Sequence, residues 1–168
     1  MARSERPASS ETLRAILWGG LLAGLADALY ATLYFGWLGA SPVRIWQSVA
    51  GGLLTRERSV AGGLPTAALG LTLHFFIAFT AAAIYVLASR KLPVLVRRAV
   101  LCGSLYGLWV YVFMNAVVIP LSALPPRKAS WIQPTLTFFT GLVVHMFGVG
   151  LGISLPARRA ALRERGAA

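Results

Sequence analysis

Residues 64–88 read LPTAALGLTLHFFIAFTAAAIYVLA, twenty-five positions without one Asp, Glu, Lys or Arg and with a single histidine at position 74. An α-helix rises about 1.5 Å per residue and the hydrocarbon core of a bilayer is about 30 Å thick, so about 20 such residues cross it. Three further runs, residues 15–40, 99–119 and 133–155, meet the same length. The first follows Arg3, Arg6 and Arg14, as a secretory leader would. Its apolar part is longer than the usual leader core, and no small-residue cleavage site follows, so it is read as an uncleaved span.

Composition agrees with four spans. The chain of 168 residues is 57% hydrophobic and 12% charged, against about 25% charged in soluble domains. The formal charge of +11 does not point to nucleic acid, because the basic residues lie only between the apolar runs rather than on one groove-facing surface. Arg3, Arg6, Arg14, Arg90, Lys91, Arg97, Arg98, Arg158, Arg159, Arg163 and Arg165 fall on one side of the alternating runs. Arg44, Arg56, Arg58, Arg127 and Lys128 fall on the other. Basic loops stay in the cytoplasm, which puts both termini there, facing anionic lipid heads. Trp18, Trp37 and Trp131 sit at run ends and Trp46 just beyond, where amphipathic rings anchor at the interface.

The chain divides into a tail at 1–14, a two-helix unit at 15–88, a cytoplasmic loop at 89–98, a second two-helix unit at 99–156 and a basic tail at 157–168. The connection between the first two spans, from Ser41 to Gly63, is apolar with few charges and is read as an interfacial or shallow re-entrant helix with glycines at 51, 52, 62 and 63 to turn its ends.

The two units look like copies. At an offset of 83, Gly20, Leu22, Gly24, Leu25, Ala40 and Pro42 meet Gly103, Leu105, Gly107, Leu108, Ala123 and Pro125. At an offset of 71, Thr66, Gly70, Leu71, His74 and Phe76 meet Thr137, Gly141, Leu142, His145 and Phe147, so the only two histidines share one T-x-x-x-G-L-x-x-H frame. Two spans per unit give both units the same orientation, with a pseudo-two-fold axis along the membrane normal. The Gly20/Gly24 and Gly103/Gly107 pairs are G-x-x-x-G packing surfaces, and Gly70 and Gly141 lie one turn from the histidines.

Ionisable groups at mid-membrane are costly, by about 2.5 to 3.5 kcal/mol for Asp on insertion scales. Asp27 falls near the middle of the first run, and His74 and His145 near the middle of theirs. Thr66, Gly70 and His74 are four apart and share a helix face, as do Thr137, Gly141 and His145. Three readings follow. The histidines can fasten helices by hydrogen bonds to Asp27, Asn115, a tyrosine or a carbonyl. They can form, with Asp27, a path for protons or a small solute. Or they can hold a haem between facing helices. No enzyme motif accompanies them, and no metal site or required cofactor is expected. Cys102, the only cysteine, allows no intrachain disulfide and is read as an inert thiol. Asn115 with Pro120, Pro125 and Pro126 marks an irregular end of the third run. The expected function is that of a structural or accessory membrane protein, with small transport-type protein as the alternative. A homo-oligomer or a membrane protein partner is compatible with either.

His74 with the following Phe-Phe-Ile-Ala-Phe, the Lys91-Leu-Pro93 turn, Gly103-x-x-x-Gly107, Pro120-Leu-Ser-Ala-Leu-Pro-Pro126 and His145 together resemble the YagU-like family of small, uncharacterised bacterial inner-membrane proteins, over roughly the last hundred residues. The resemblance implies a bacterial inner membrane and carries no agreed activity. The fourth run here has no carboxylate, so a proton relay confined to that helix is not expected.

The basic asymmetry makes a direct forecast: reporters fused after Ala168 or inserted near Lys91 will read cytoplasmic, and one near Glu57 will read external. An externally accessible C-terminus would overturn the orientation.

Overall fold

The computed structural model describes residues 8–124 and 135–167. Arg3, Arg6, Pro125, Pro126, Arg127, Lys128, Trp131 and Gln133 lie outside the described residues. The described chain is all-α, and four of its helices are long and apolar enough to cross a membrane: Ser10–Trp37, Gly63–Lys91, Ala99–Val118 and Leu136–Gly166. In chain order the elements are α1 (Ala8–Trp37), α2 (Pro42–Leu54), α3 (Arg56–Ala61), α4 (Gly63–Lys91), α5 (Val94–Arg97), α6 (Ala99–Phe113) running on into a π-helical turn Met114–Val118, α7 (Leu136–Val143), a longer π-helical stretch Val144–Gly150, and α8 (Leu151–Ala167).

The helices overrun the apolar runs at the end of the bundle that holds the described parts of both tails. Part of the stretch read as an N-terminal tail belongs to α1, and residues 157–167 continue α8. Ion pairs account for this order. Glu11 meets Arg14 at 3.2 Å and Arg163 at 3.6 Å. Arg90 donates to both oxygens of Glu164, at 2.9 and 3.1 Å, and to the Thr12 hydroxyl. A two-pronged guanidinium–carboxylate pair fixes orientation as well as charge, and here it ties α4 to α8 while Thr12 brings in α1. The α4–α6 turn is held by the buried Tyr85, whose hydroxyl donates to the Leu95 carbonyl at 3.0 Å.

At the opposite end α1 stops where Gly39 takes φ +92°, a left-handed conformation that glycine adopts without strain. Ser41 caps α2 by accepting from the Arg44 amide at 3.3 Å, with Pro42 just inside the helix start. The short α2 does not lie flat over the bundle. It leans into α4 so closely that a Cβ on Gly70 would stand 1.8 Å from the Trp46 carbonyl oxygen, and the Trp46 and His74 rings are 5.3 Å apart. Seven residues separate Gly63 from Gly70, about 10 Å along the helix, so α2 meets α4 about two turns in from its start. Buried Gln47 donates to the Gly63 carbonyl at 2.9 Å, and the Gly52 carbonyl accepts from the Ala123 amide at 2.9 Å, which joins this connection to the segment after the third span.

Within the bundle α1 packs against both α4 and the fourth span, and α6 packs against the fourth span. Helix α6 reaches α4 through Tyr106, whose hydroxyl donates to the Ala81 carbonyl at 2.8 Å and whose ring lies 5.0 Å from that of Tyr85. Among the four spans the tightest seam is between α6 and the fourth: a Cβ on Gly107 would fall 1.9 Å from the His145 carbonyl oxygen, and one on Gly150 would fall 2.1 Å from that of Gly103. Gly20 and Gly24 are used differently, each seating a phenylalanine ring of α4, Phe79 and Phe75 respectively.

Gly107→Ala is therefore expected to lower stability by about 1 to 3 kcal/mol through overpacking, read as a lower midpoint of thermal unfolding in detergent. Gly36, with nothing within 4 Å of a new Cβ, is the control: Gly36→Ala should be neutral or slightly stabilising, since alanine is the better helix former. Equal effects at the two positions would refute the close-packing account.

Candidate functional site

Helices α1, α4 and the fourth span bring Asp27, His74 and His145 together. Asp27 is ten residues from the end of α1 at Trp37, about 15 Å along the helix, or half the hydrocarbon thickness. Its Oδ2 lies 3.9 Å from His74 Nδ1 and its Oδ1 lies 3.8 Å from His145 Nδ1. Both distances are ion-pair approaches rather than direct hydrogen bonds. The carboxylate keeps a quarter of its surface exposed.

Each imidazole has its own hydrogen bond, and these bonds assign the tautomers. His74 Nε2 is 2.9 Å from the Gly24 carbonyl oxygen. A carbonyl only accepts, so Nε2 carries the hydrogen, and in the neutral ring Nδ1 presents a lone pair. That lone pair faces Asp27 Oδ2. By the same argument His145 Nδ1, 2.9 Å from the Gly141 carbonyl oxygen, donates, and it is the edge turned toward Asp27 Oδ1. His74 thus turns to Asp27 Oδ2 the ring nitrogen that has no carbonyl partner, whereas His145 turns to Asp27 Oδ1 the nitrogen already bonded to Gly141.

The histidines are held from behind by aromatic rings. His74 contacts Trp46 and Phe75, and His145 meets Tyr111 edge to face with centroids 5.1 Å apart. His145 lies in the π-helical stretch Val144–Gly150, a departure from α geometry often found at functional positions.

A ladder of hydroxyls leads from Asp27 toward the α2 end of the bundle. Tyr30 and Tyr34 continue the Asp27 face of α1 at spacings of three and four. The Tyr30 hydroxyl is 2.8 Å from Thr140 Oγ1 and that of Tyr34 is 2.8 Å from Thr137 Oγ1, while the two rings stack at 5.2 Å. Toward the end with the tails the surroundings change to tightly packed small and apolar residues: Ala23, Ala82 and Ile153 are buried, and Gly20 and Gly24 are closed over by phenylalanine. The polar seam therefore has one open direction.

The residues expected in the membrane interior divide. Asp27, His74 and His145 converge, and Thr137 joins the ladder beside them. Thr66 sits at the start of α4 and donates to the Ser59 and Gly63 carbonyls, fastening the α3–α4 junction away from the histidines. Asn115 donates to the Tyr111 carbonyl of its own helix at 2.9 Å and partners neither histidine. Gly70 seats α2, and Gly141 lies against Tyr111 and Tyr30. Cys102 faces the Val94 carbonyl at 3.7 Å. Tyr30, Tyr34 and Thr140 were not singled out from the sequence, although the 27/30/34 spacing on one apolar helix is a readable signal.

A haem between the histidines does not suit this geometry. His74 Nε2 is taken by the Gly24 carbonyl, His145 Nδ1 by that of Gly141, and the Asp27 carboxylate stands within 4 Å of both rings. Among the described residues, no group of three or more His, Cys, Asp or Glu is arranged to hold a metal ion. No family model matches the chain, and neither the curated proteins nor the solved structures contain a match.

Because each imidazole has a carbonyl partner, His74→Leu and His145→Leu should each cost about 1 to 3 kcal/mol of stability, measured by thermal unfolding in detergent. Asp27→Asn, isosteric and still polar, should cost less than Asp27→Leu. An Asp27→Asn loss as large as that of either histidine variant would make the carboxylate a structural fastening.

Proposed function

We propose that the chain is a small transport-type membrane protein in which Asp27, His74 and His145 bind a proton at mid-membrane, loaded through the Tyr30/Tyr34/Thr137/Thr140 hydroxyl ladder. The observation that carries this reading is the approach of Asp27 Oδ2 to His74 Nδ1, the imidazole nitrogen without a carbonyl partner, at 3.9 Å. A proton bound there would draw the two atoms into a charge-assisted hydrogen bond. A purely structural role accounts for the imidazoles, which have carbonyl partners. It does not account for a carboxylate that is kept at membrane depth against its insertion cost and takes part in no direct helix-to-helix hydrogen bond among the described residues.

The same reading places the protein in a bacterial inner membrane with both termini cytoplasmic, which makes the hydroxyl ladder the external half of the path and the packed segment around Ala23, Ala82 and Ile153 the cytoplasmic barrier. Support comes from the basic asymmetry and from the YagU-like resemblance. Duplication of a two-helix unit is part of it too: the two T-x-x-x-G-L-x-x-H frames bring their histidines to the two oxygens of one carboxylate. The packing around the frames differs, since Gly70 takes α2 where Gly141 takes tyrosines.

The test is purified protein in liposomes with a pH-sensitive dye inside and an imposed potassium diffusion potential. Wild type should acidify or alkalinise the lumen several-fold faster than protein-free liposomes, and Asp27→Asn should return the rate to that background. Tyr34→Phe, which removes one rung, should slow the flux without abolishing it. A wild-type rate equal to that of Asp27→Asn would overturn the proposal.

A further inference from the structure

We propose that the groove between α1 and α8, at the end of the bundle holding the described parts of both tails, binds the phosphate head of an anionic glycerophospholipid. The groove encloses about 440 Å³. Its lining grades along the membrane normal in the same sense on both walls. On α1, Arg14, Trp18 and Leu22 follow one another at intervals of four residues, so one helix face passes from cationic through amphipathic to apolar. On α8, Arg163, Arg159 and Pro156 repeat the order from the opposite chain direction. A soluble anion needs only the charged upper part; an acyl chain needs the lower part as well.

The depth fits a head group. Arg14 is thirteen residues from Asp27, about 20 Å along the helix, which puts its Cα about 5 Å beyond a 15 Å half-core. Trp18, more than half exposed, lies one turn deeper, at the level where indole rings sit among head groups and first methylenes.

The charge fits too. Glu11 is buried and holds Arg14 and Arg163 by ion pairs from α1 to both walls. It neutralises one of three guanidiniums, and Arg159, one turn from Arg163, makes no salt bridge among the described residues. Among the described residues the groove keeps a surplus of two positive charges over a wall of apolar side chains. Arginine forks suit phosphate oxygens, and basic pockets between membrane helices are known sites for phosphorylated head groups. A zwitterionic head would bring a cationic group toward the same arginines and gains less.

The site is separate from Asp27, and its test does not depend on transport. Protein exchanged into mixed micelles containing equal amounts of phosphatidylglycerol and phosphatidylcholine is released in native mass spectrometry and the retained lipid counted. Wild type should keep phosphatidylglycerol in several-fold preference, and Arg159→Gln should remove most of that preference while leaving the thermal midpoint in detergent unchanged, because Arg159 lacks the Glu11 pairing. Arg44→Gln, a basic residue on α2 at the far end, should retain it. Excess inorganic phosphate should not displace the lipid. Equal retention of the two lipids, an Arg159→Gln variant that keeps the preference, or displacement by inorganic phosphate would each overturn the lipid assignment, the last by making the groove a site for soluble anions.

Discussion

The approach of α6 to the fourth span, with Gly107 set against the His145 carbonyl and Gly103 interlocked with Gly150, is the contact on which the rest of the bundle depends. Inside a bilayer lipid tails are as apolar as leucine, so helices gain nothing from hiding leucines from their surroundings and associate through van der Waals contact and hydrogen bonds instead. Such contact is greatest where no Cβ keeps two backbones apart. The large apolar side chains of α1 accordingly point outward, with Leu29, Leu33 and Trp37 largely exposed, while Ala15 and Ala23 are buried. In water this would be an inverted protein; in lipid it is the expected one.

Electrostatics then decides where the small number of charges can stay. The acidic residues are five, and of those described Glu11 and Glu164 are paired with arginines of neighbouring helices at the interfacial end. Exposed pairs of this kind contribute little each, about 0 to 1 kcal/mol; their effect is to order helix ends that would otherwise fray. Asp27 is different in kind. At its depth the cost of charge is not relieved by solvent, and the partners supplied are imidazoles, whose own charge depends on the proton they hold. The carboxylate thus stands 3.9 and 3.8 Å from two imidazoles and hydrogen-bonds directly to neither.

What the sequence made legible follows from this physics. Four spans are readable because bilayer thickness imposes a length, and Asp27, His74 and His145 because an ionisable residue in an apolar run is conspicuous. The rotational setting of each helix is not readable in the same way. A soluble helix advertises its inward face by polarity on the other, whereas α1 and α4 are apolar all round, and nothing in the run 64–88 says that Thr66 would turn to the α3–α4 junction while His74 turned to Asp27. Tyr30 and Tyr34 stand at readable spacings from Asp27, but hydroxyl-bearing residues are common in membrane helices, and only the structure pairs these tyrosines with Thr140 and Thr137 of the fourth span. The packing of α2 was hidden because its composition suits an interface and a shallow insertion equally, and Gly70, which seats it, is on another helix.

The π-helical stretch Val144–Gly150 lies where one span serves two neighbours, α1 and α6. In a regular α-helix the carbonyls run along the axis into bonds four residues on, and a residue presents only its side chain to a neighbour. Widening the turn loosens that pattern. His145 then offers its carbonyl to Gly107 of α6 and its ring to Asp27 of α1, while beyond it Gly148 and Gly152 approach Ala26 and Ala23 of α1, and Gly150 and Ser154 approach Gly103 of α6. The irregular stretch thus holds His145 at the carboxylate and, within the next turns, the glycines that let α8 continue between α1 and α6 to the arginines at its end.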